Sequence, residues 1–454
     1  MTQSSAETTQ TPEDVLATFV AGLSYEDVPE STIETIERAF ADTVGVTLAG
    51  VVADAGKRAS AIATPTAPEN GGVKILGTGT HAALSDAVLA NGTAGHALDF
   101  DDLSWAMDGH PSVPMVAPAL ALAEQLDASG KALITAFAAG FEAECYVAEP
   151  ISPTHYELGW HPTATFGTFG AAAAASQLLG LSAEETKRAL NIAASMPSGL
   201  KRNFGSMTKP LHAGLSGRSG VTAAQLAAEG FTADEAAVSG SRGFWDRYGT
   251  GAERVAKPPG DPWRLVETGI SIKAYPCCYF THTSIAAAQD LVSTHNIAPA
   301  DVKRIKSTAS GGAGDALSHP DPQTGLEAKF SMEYALACAV ALDTVSLDAF
   351  EDDAIGEEMV QRVRERAIFE VDESLPYKSN DVLVELTTTN GDTYEATLTE
   401  PPGTPNNPLS DADLRAKFID CATRAVSESV AEETVDKLLA LRDQPSVRDI
   451  VAPL

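Results

Sequence analysis

Apolar residues return every three or four positions along much of the first 230 residues, the period of amphipathic or buried helices. Thr11-Pro12-Glu13-Asp14 opens the first such stretch, with Thr11 as N-cap, Pro12 at the first helical position and acids in the first turn. VLATFVAGLSY follows, and then STIETIERAFADTVGVTLAGV, with Ser31 as its N-cap. Ala83–Ala97, Pro114–Leu126 and Lys131–Ala148 repeat the pattern. Residues 159–182 open on a His161-Pro162 pair at a loop-to-helix junction, and Gly167 and Gly170 mark places where that helix passes close to a neighbour or ligand. Residues 199–232 read as a Gly-rich irregular segment leading into a helix. Abundant alanine lets such helices approach closely.

Near residue 270 the texture changes. IKAYPCCYFTHTSIAAAQDLVSTH is a loop and then a helix, VKRIKSTAS (302–310) alternates as a strand, and 330–343 is helical. GGAGD at 311–315 reads as a loop. Two alternating runs within 381–400 flank Asn390-Gly391, which predicts a type I′ hairpin. PPGTPNNPLS (401–410) is a linker, and helix returns from Asp411. The predicted fold is mainly α with a smaller α+β domain. Residues 1–270 and 408–454 form a discontinuous all-helical domain, and 271–407 form an inserted α+β lid domain.

Charge narrows the functional classes. The 454 residues carry 31 Lys+Arg against 62 Asp+Glu, a formal net charge of −31. Such a field repels nucleic-acid phosphates and anionic membranes, so neither is an expected partner. Acidity spread along the chain suits a very salty cytoplasm, where charges are screened. The first ten residues are polar and expected to fray, with neither the basic nor the apolar region of a signal peptide. There is no apolar run long enough to span a membrane. Five cysteines without a C-x-x-C pair suit reduced thiols in a cytoplasmic protein.

Candidate chemistry concentrates in NGTAGHALDFDDLSWAMDGHPSVP (91–114). There Asp99, Asp101 and Asp102 stand close to His96 and to His110, the latter in a His-Pro pair. The cluster reads as one wall of a proton-handling site; the alternative is a helix end with acidic capping residues. Arg202, Lys209, His212 and Arg218 gather positive charge in 199–232, which in so acidic a chain suits a carboxylate. Lys273 and His282 follow in 270–295, and Tyr334 lies near the start of its helix. The sequence carries no H-E-x-x-H, no zinc-spaced Cys/His array, no G-x-S-x-G, no Walker loop and no G-x-G-x-x-G. His, Asp and Lys in loops and at helix starts suit acid–base chemistry on a small anionic molecule.

RAFADTVGVTLAG, NGTAGHALDFDD with GHPS, GWHPTATFGTFGAAAA, GSMTKPLHAG, IKAYPCCYFTH, KFSMEYALA and GTPNNPLS with KF occur in order from about residue 38 to about residue 417. Together they resemble the MmgE/PrpD family, which includes 2-methylcitrate dehydratase of propionate metabolism, cis-aconitate decarboxylase and iminodisuccinate epimerase. The resemblance implies a helical domain carrying most of the site, an α+β lid, a homodimer, and catalysis without metal or organic cofactor. It implies a site of Asp99, His110, His161, Lys209, His282 and Tyr334; Ser104, His212 and Lys273 are further candidates for substrate binding. A Thr that follows the acidic cluster in the decarboxylase meets Leu103 or Ser104 here. The expectation is therefore a 2-methylcitrate dehydratase-like lyase acting on a small di- or tricarboxylic acid. In it Lys209 binds carboxylate, His110 and His161 handle protons, and Asp99 orients a histidine. Decarboxylation, epimerisation and a non-catalytic tricarboxylate-binding protein are the alternatives.

Overall fold

A computed structural model describes residues 10–69, 71–251 and 255–454. The polar N-terminal stretch expected to fray lies, but for its last residue, outside the described residues.

The chain builds two hydrophobic cores. The larger draws on helices Pro12–Gly22, Glu30–Val51, Leu84–His96, Ser112–Leu126, Gly130–Ala148, Pro162–Leu178, Ala183–Ala193 and Thr208–Ala228. Thr11 and Asp14 cap the first helix reciprocally: the Asp14 amide donates to Thr11 Oγ1 (3.2 Å) and the Thr11 amide to Asp14 Oδ2 (3.0 Å). The second helix starts one residue before the expected cap Ser31, with Pro29 in the N-cap position.

Pro162–Leu178 is the central helix, buried from Pro162 to Ser176. Its neighbours reach it through small residues. A Cβ on Gly167 would lie 2.6 Å from Pro114 Cγ, and one on Gly220 would lie 2.4 Å from Ala171 Cβ. Gly214 likewise admits Leu84–His96 against Thr208–Ala228, since its Cβ would meet the Leu89 carbonyl at 2.3 Å. These close crossings bring the end of one helix (His96) beside the start of another (Lys209), which is how the sequence assembles its site.

After residue 410 the chain returns to this core. Helices Asp411–Ala422 and Glu428–Leu439 pack on Glu30–Val51, with Gly45 beneath the Phe418 ring. Among the described residues, no single helix is long and apolar enough to cross a membrane. All five cysteines are buried free thiols.

The second core covers 277–386. Its four-stranded sheet has the order Ala367–Val371, Val302–Ala309, Val382–Thr388, Thr393–Leu398; the first pairing is parallel and the others antiparallel. Helices His282–His295 and Met332–Ala341 pack in this second core. The architecture is thus mainly helical with a smaller α+β portion.

Three local expectations need correction. GGAGD is a short helix, Gly311–Ala316, rather than a loop. The segment read as irregular is already helical from Thr208, so Lys209, His212 and Arg218 stand on one helix. The hairpin is not type I′. That turn needs positive φ at both central residues, and of Asn390 and Gly391 only Gly391 has it (100°). Thr388 pairs with Asp392 (N to O, 2.9 Å), leaving a three-residue loop, and Asn390 spends its amide on Asp392 Oδ2 (2.8 Å).

Candidate active site

Two His-Pro pairs set the floor of a cavity between the cores. Proline fixes φ for the first helical turn and lacks an N–H, so His161 stands at the N-cap of the central helix and His110 just ahead of Ser112–Leu126. The acidic loop between His96 and His110 is pinned at two places. Leu103 and Ser271 exchange backbone hydrogen bonds (2.9 and 2.8 Å), and the Ser104 amide donates to the Gly109 carbonyl (2.9 Å). The first pin brings Lys273 beside Asp99. Asp99 takes a left-handed backbone (φ 52°), a conformation Asp tolerates better than most residues.

Asp99 is the electrostatic centre. Lys209 Nζ bonds its Oδ1, while Lys273 Nζ lies 3.1 Å from Oδ2 and donates to the Asp99 carbonyl at 2.7 Å. All three side chains are buried. Burial opposes ionisation of Asp99, but the charges of Lys209, Lys273 and His110 outweigh it and hold the carboxyl well below its usual range. Burial likewise works against the Lys273 ammonium, and Asp99 and Asp101 overcome it.

Asp101, not Asp99, hydrogen-bonds a histidine. His96 Nδ1 sits 2.9 and 2.8 Å from its two oxygens, and His110 Nδ1 lies 3.2 Å from Oδ2. His110 Nε2 is 3.7 Å from Asp99, too far for a hydrogen bond. Asp102 turns away to Ser112, whose hydroxyl and amide donate to it. Burial, with Asp42 and Asp101 nearby, raises its pKa well above the usual value. The three acids are therefore not a solvated helix cap. They are buried, each with different partners.

His96, His161 and His212 form a buried cluster. His96 stacks on His161 (centroids 5.6 Å apart), and His161 Nδ1 meets His212 Nδ1 at 3.1 Å. Burial drives all three pKa values down, with the Lys209 charge adding to it. His96 falls to about 3, His212 to about 4, and His161 lies well below its usual value. A buried neutral imidazole can accept a proton or hydrogen-bond a ligand.

Asp99, His110, His161, Lys209 and Lys273 all line the cavity. Apolar and aromatic side chains share the lining, among them Leu103, Trp105, Phe204, Phe280 and Phe330, with the Phe204 ring centre 5.1 Å from that of His161. Asp108, Cys278, Tyr377 and Lys378 also line the cavity, with Lys378 Nζ paired to Asp108. The Cys278 thiol is pushed up to about 11, chiefly by burial, which argues against a thiolate nucleophile.

One end of the cavity could also suggest a metal. Ligand atoms of His96, Asp99, Asp101 and His110 lie within 4.8 Å of one another. Both Asp99 oxygens already face ammonium groups, however, so a cation there would have to displace Lys209 and Lys273. The donor set fits anion and proton chemistry better than it fits a metal.

Residues 14–255 match the model of the MmgE/PrpD N-terminal domain, and residues 275–441 that of the MmgE/PrpD C-terminal domain. The chain belongs to the MmgE/PrpD family. Among curated relatives, human cis-aconitate decarboxylase is 28% identical over 443 residues, covering 94% of this chain and 91% of its own. The mouse cis-aconitate decarboxylase is 29% identical over 401 residues, covering 81% and 80%. A cis-aconitate decarboxylase-like protein of Aspergillus oryzae is 24% identical over 488 residues, covering 100% and 98%.

Four of the expected site residues stand outside the cavity. Tyr334 is enclosed in the smaller core, where its hydroxyl donates to the Ala349 carbonyl (2.7 Å). His282 is buried behind the wall, between the Tyr275 and Tyr279 rings, with Nε2 3.3 Å from the Cys277 carbonyl. The Ser104 hydroxyl donates to the Gly269 carbonyl (2.7 Å), so Leu103 rather than Ser104 faces the cavity. His212 touches His161 and reaches the cavity only through it. Sequence reasoning missed Asp108 and Lys378. They are 270 positions apart and share no motif, so only the fold joins them.

Proposed function

We propose that the protein is a lyase acting on a small polycarboxylic acid through a carboxylate-stabilised carbanion, with decarboxylation of a cis-aconitate-like acid as its reaction. The observation that carries this reading is the mixed lining of the cavity. Two buried ammonium groups and two histidines share it with apolar and aromatic side chains, and the Phe204 and Phe330 ring centres lie 5.2 and 5.1 Å from the Lys209 ammonium. A carboxylate held by Lys209 and Lys273 stabilises negative charge developing beside it. A second carboxylate among the apolar and aromatic side chains is poorly solvated, which favours its loss as carbon dioxide. The breaking carbon–carbon bond leaves its electron pair on the substrate, delocalised toward the retained carboxylate. A proton then returns to carbon from His110, and solvent replaces it. The names of the curated relatives support the same reaction.

A second reading, dehydration of a 2-methylcitrate-like acid, is favoured by Leu103. It lines the cavity near where the decarboxylase resemblance calls for a Thr hydroxyl, and Ser104 is turned away. A neutral histidine then removes the proton next to a carboxylate, and the imidazolium so formed returns a proton to the leaving hydroxyl, which departs as water.

The test offers cis-aconitate, 2-methylcitrate, citrate and iminodisuccinate to the purified protein in concentrated KCl, with products identified by mass. Loss of carbon dioxide from cis-aconitate supports the first reading. Loss of water from 2-methylcitrate supports the second. Consumption of none of them overturns both.

A further inference from the structure

The Lys417-Phe418 pair is part of the motif set in the sequence, yet Lys417 does not line the cavity. Its helix, Asp411–Ala422, packs on Glu30–Val51, and Phe418 fills the larger core above Gly45. Lys417 points the other way and is almost fully buried. Its ammonium donates to the Phe100 carbonyl (2.8 Å) and to the Lys273 carbonyl (2.8 Å), and pairs with Asp42 Oδ1 at 2.6 Å. It also lies 3.8 Å from the centre of the Phe100 ring.

These contacts join two segments far apart in sequence. Phe100 follows Asp99 directly, and Lys273 carries the ammonium that meets the Asp99 carboxylate and carbonyl. We infer that Lys417 is a positioning residue: by clamping the main-chain carbonyls of Phe100 and Lys273, it sets the distance between the Asp99 carboxylate and the Lys273 ammonium. The last part of the chain thus completes a site whose cavity-lining residues all come from positions 99–378. Asp42 supplies the counter-charge that lets a lysine be buried there. A displacement of about 1 Å at a catalytic group can cost on the order of a hundredfold in rate, so the clamp has a large lever on turnover.

The activity part of this inference rests on the lyase reading; the geometric part does not. Lys417→Met alone strands Asp42 as a buried unpaired charge and risks not folding, so the informative comparison is Asp42→Asn against the double variant Asp42→Asn/Lys417→Met. Asp42→Asn keeps both carbonyl contacts but leaves the Lys417 ammonium without its counter-charge, so it is expected to lose stability while kcat stays within about threefold of wild type. The double variant is expected to unfold cooperatively, as Asp42→Asn does. It should lose about a hundredfold in kcat with a smaller change in KM, the signature of misplaced reacting groups rather than of lost binding contacts. A crystal structure of the double variant gives a second readout that needs no turnover. The expected result is that Lys273 Nζ leaves the Asp99 carbonyl and Oδ2, now 2.7 and 3.1 Å away. Equal kcat in the two variants, or both distances unchanged, overturns the inference. If wild type consumes none of the acids, the lyase reading fails, and the distances still decide the role of Lys417.

Discussion

Asp99 is bracketed by two lysines, so removing a lysine and removing the aspartate have unequal consequences. In Lys209→Met, Asp99 keeps Lys273 at 3.1 Å, and Lys273 still donates to the Asp99 carbonyl. The charge on Asp99 stays compensated. The methionine fills similar space beside Phe204 and Phe330, whose ring centres lie 5.2 and 5.1 Å from the present ammonium. The expected stability cost is that of one charge-assisted hydrogen bond, about 1.5–3 kcal/mol. In Asp99→Asn, two buried ammonium groups lose their shared counter-charge, and the expected cost rises to about 3–5 kcal/mol. Activity follows a different order. If Lys209 carries the carboxylate next to the developing charge, its loss removes one preorganised donor and lowers kcat by about 10²–10³-fold. Urea unfolding of both variants, with kcat on the substrate that wild type consumes, checks this. Lys209→Met turning over like wild type, or Asp99→Asn costing less stability than Lys209→Met, would falsify the reasoning.

Two further outcomes follow from buried groups off the reaction path. Both carboxylate oxygens of Glu144 are buried without a hydrogen-bond partner, and burial, then Asp102, raises its pKa well above 4.5. The folded state therefore holds a proton that the unfolded chain releases above pH 4.5. Stability from this group is complete below that pH and is lost by about 1.4 kcal/mol per pH unit as pH rises toward the folded-state value. Glu144→Met removes that slope, so its urea midpoint gains on wild type across a pH series above 4.5; a gain that stays constant with pH contradicts this. Tyr334→Phe leaves the Ala349 carbonyl without its donor, costing about 1–3 kcal/mol of stability while KM and kcat hold; a raised KM would return Tyr334 to the substrate.

The sequence carried much of the site because its marks were local. His110-Pro111 and His161-Pro162 announce helix starts that leave a histidine at the end, and in the structure both face the cavity. Asp99, Lys209 and Lys273 fall in distinctive motifs, and the fold joins them in one ion cluster. Side-chain direction was not legible. Tyr334 sits in a family motif, but the phase of its helix turns it into the smaller core, where burial of the ring and a bond to Ala349 fix it. Ser104 and Leu103 are neighbours on an irregular loop, and only the hydrogen bond to Gly269 shows which one the cavity receives. The partition of work between Asp99 and Asp101 was hidden for a similar reason. Which carboxylate meets a histidine and which meets a lysine depends on Lys273, 174 positions from Asp99. The hairpin failed on a finer point: Asn-Gly marked the turn, but the pairing of Thr388 with Asp392 chose its type.

The central claim, a carbanion-forming lyase built around Asp99, Lys209, Lys273, His110 and His161, is tested most directly by the carbon balance of cis-aconitate incubated with wild-type protein in D2O. The account predicts carbon dioxide released in equal amount to the acid consumed, and a five-carbon product carrying solvent-derived deuterium on carbon. Consumption with all six carbons retained would move the reaction to water addition or removal, and no consumption of cis-aconitate would contradict the claim for this substrate.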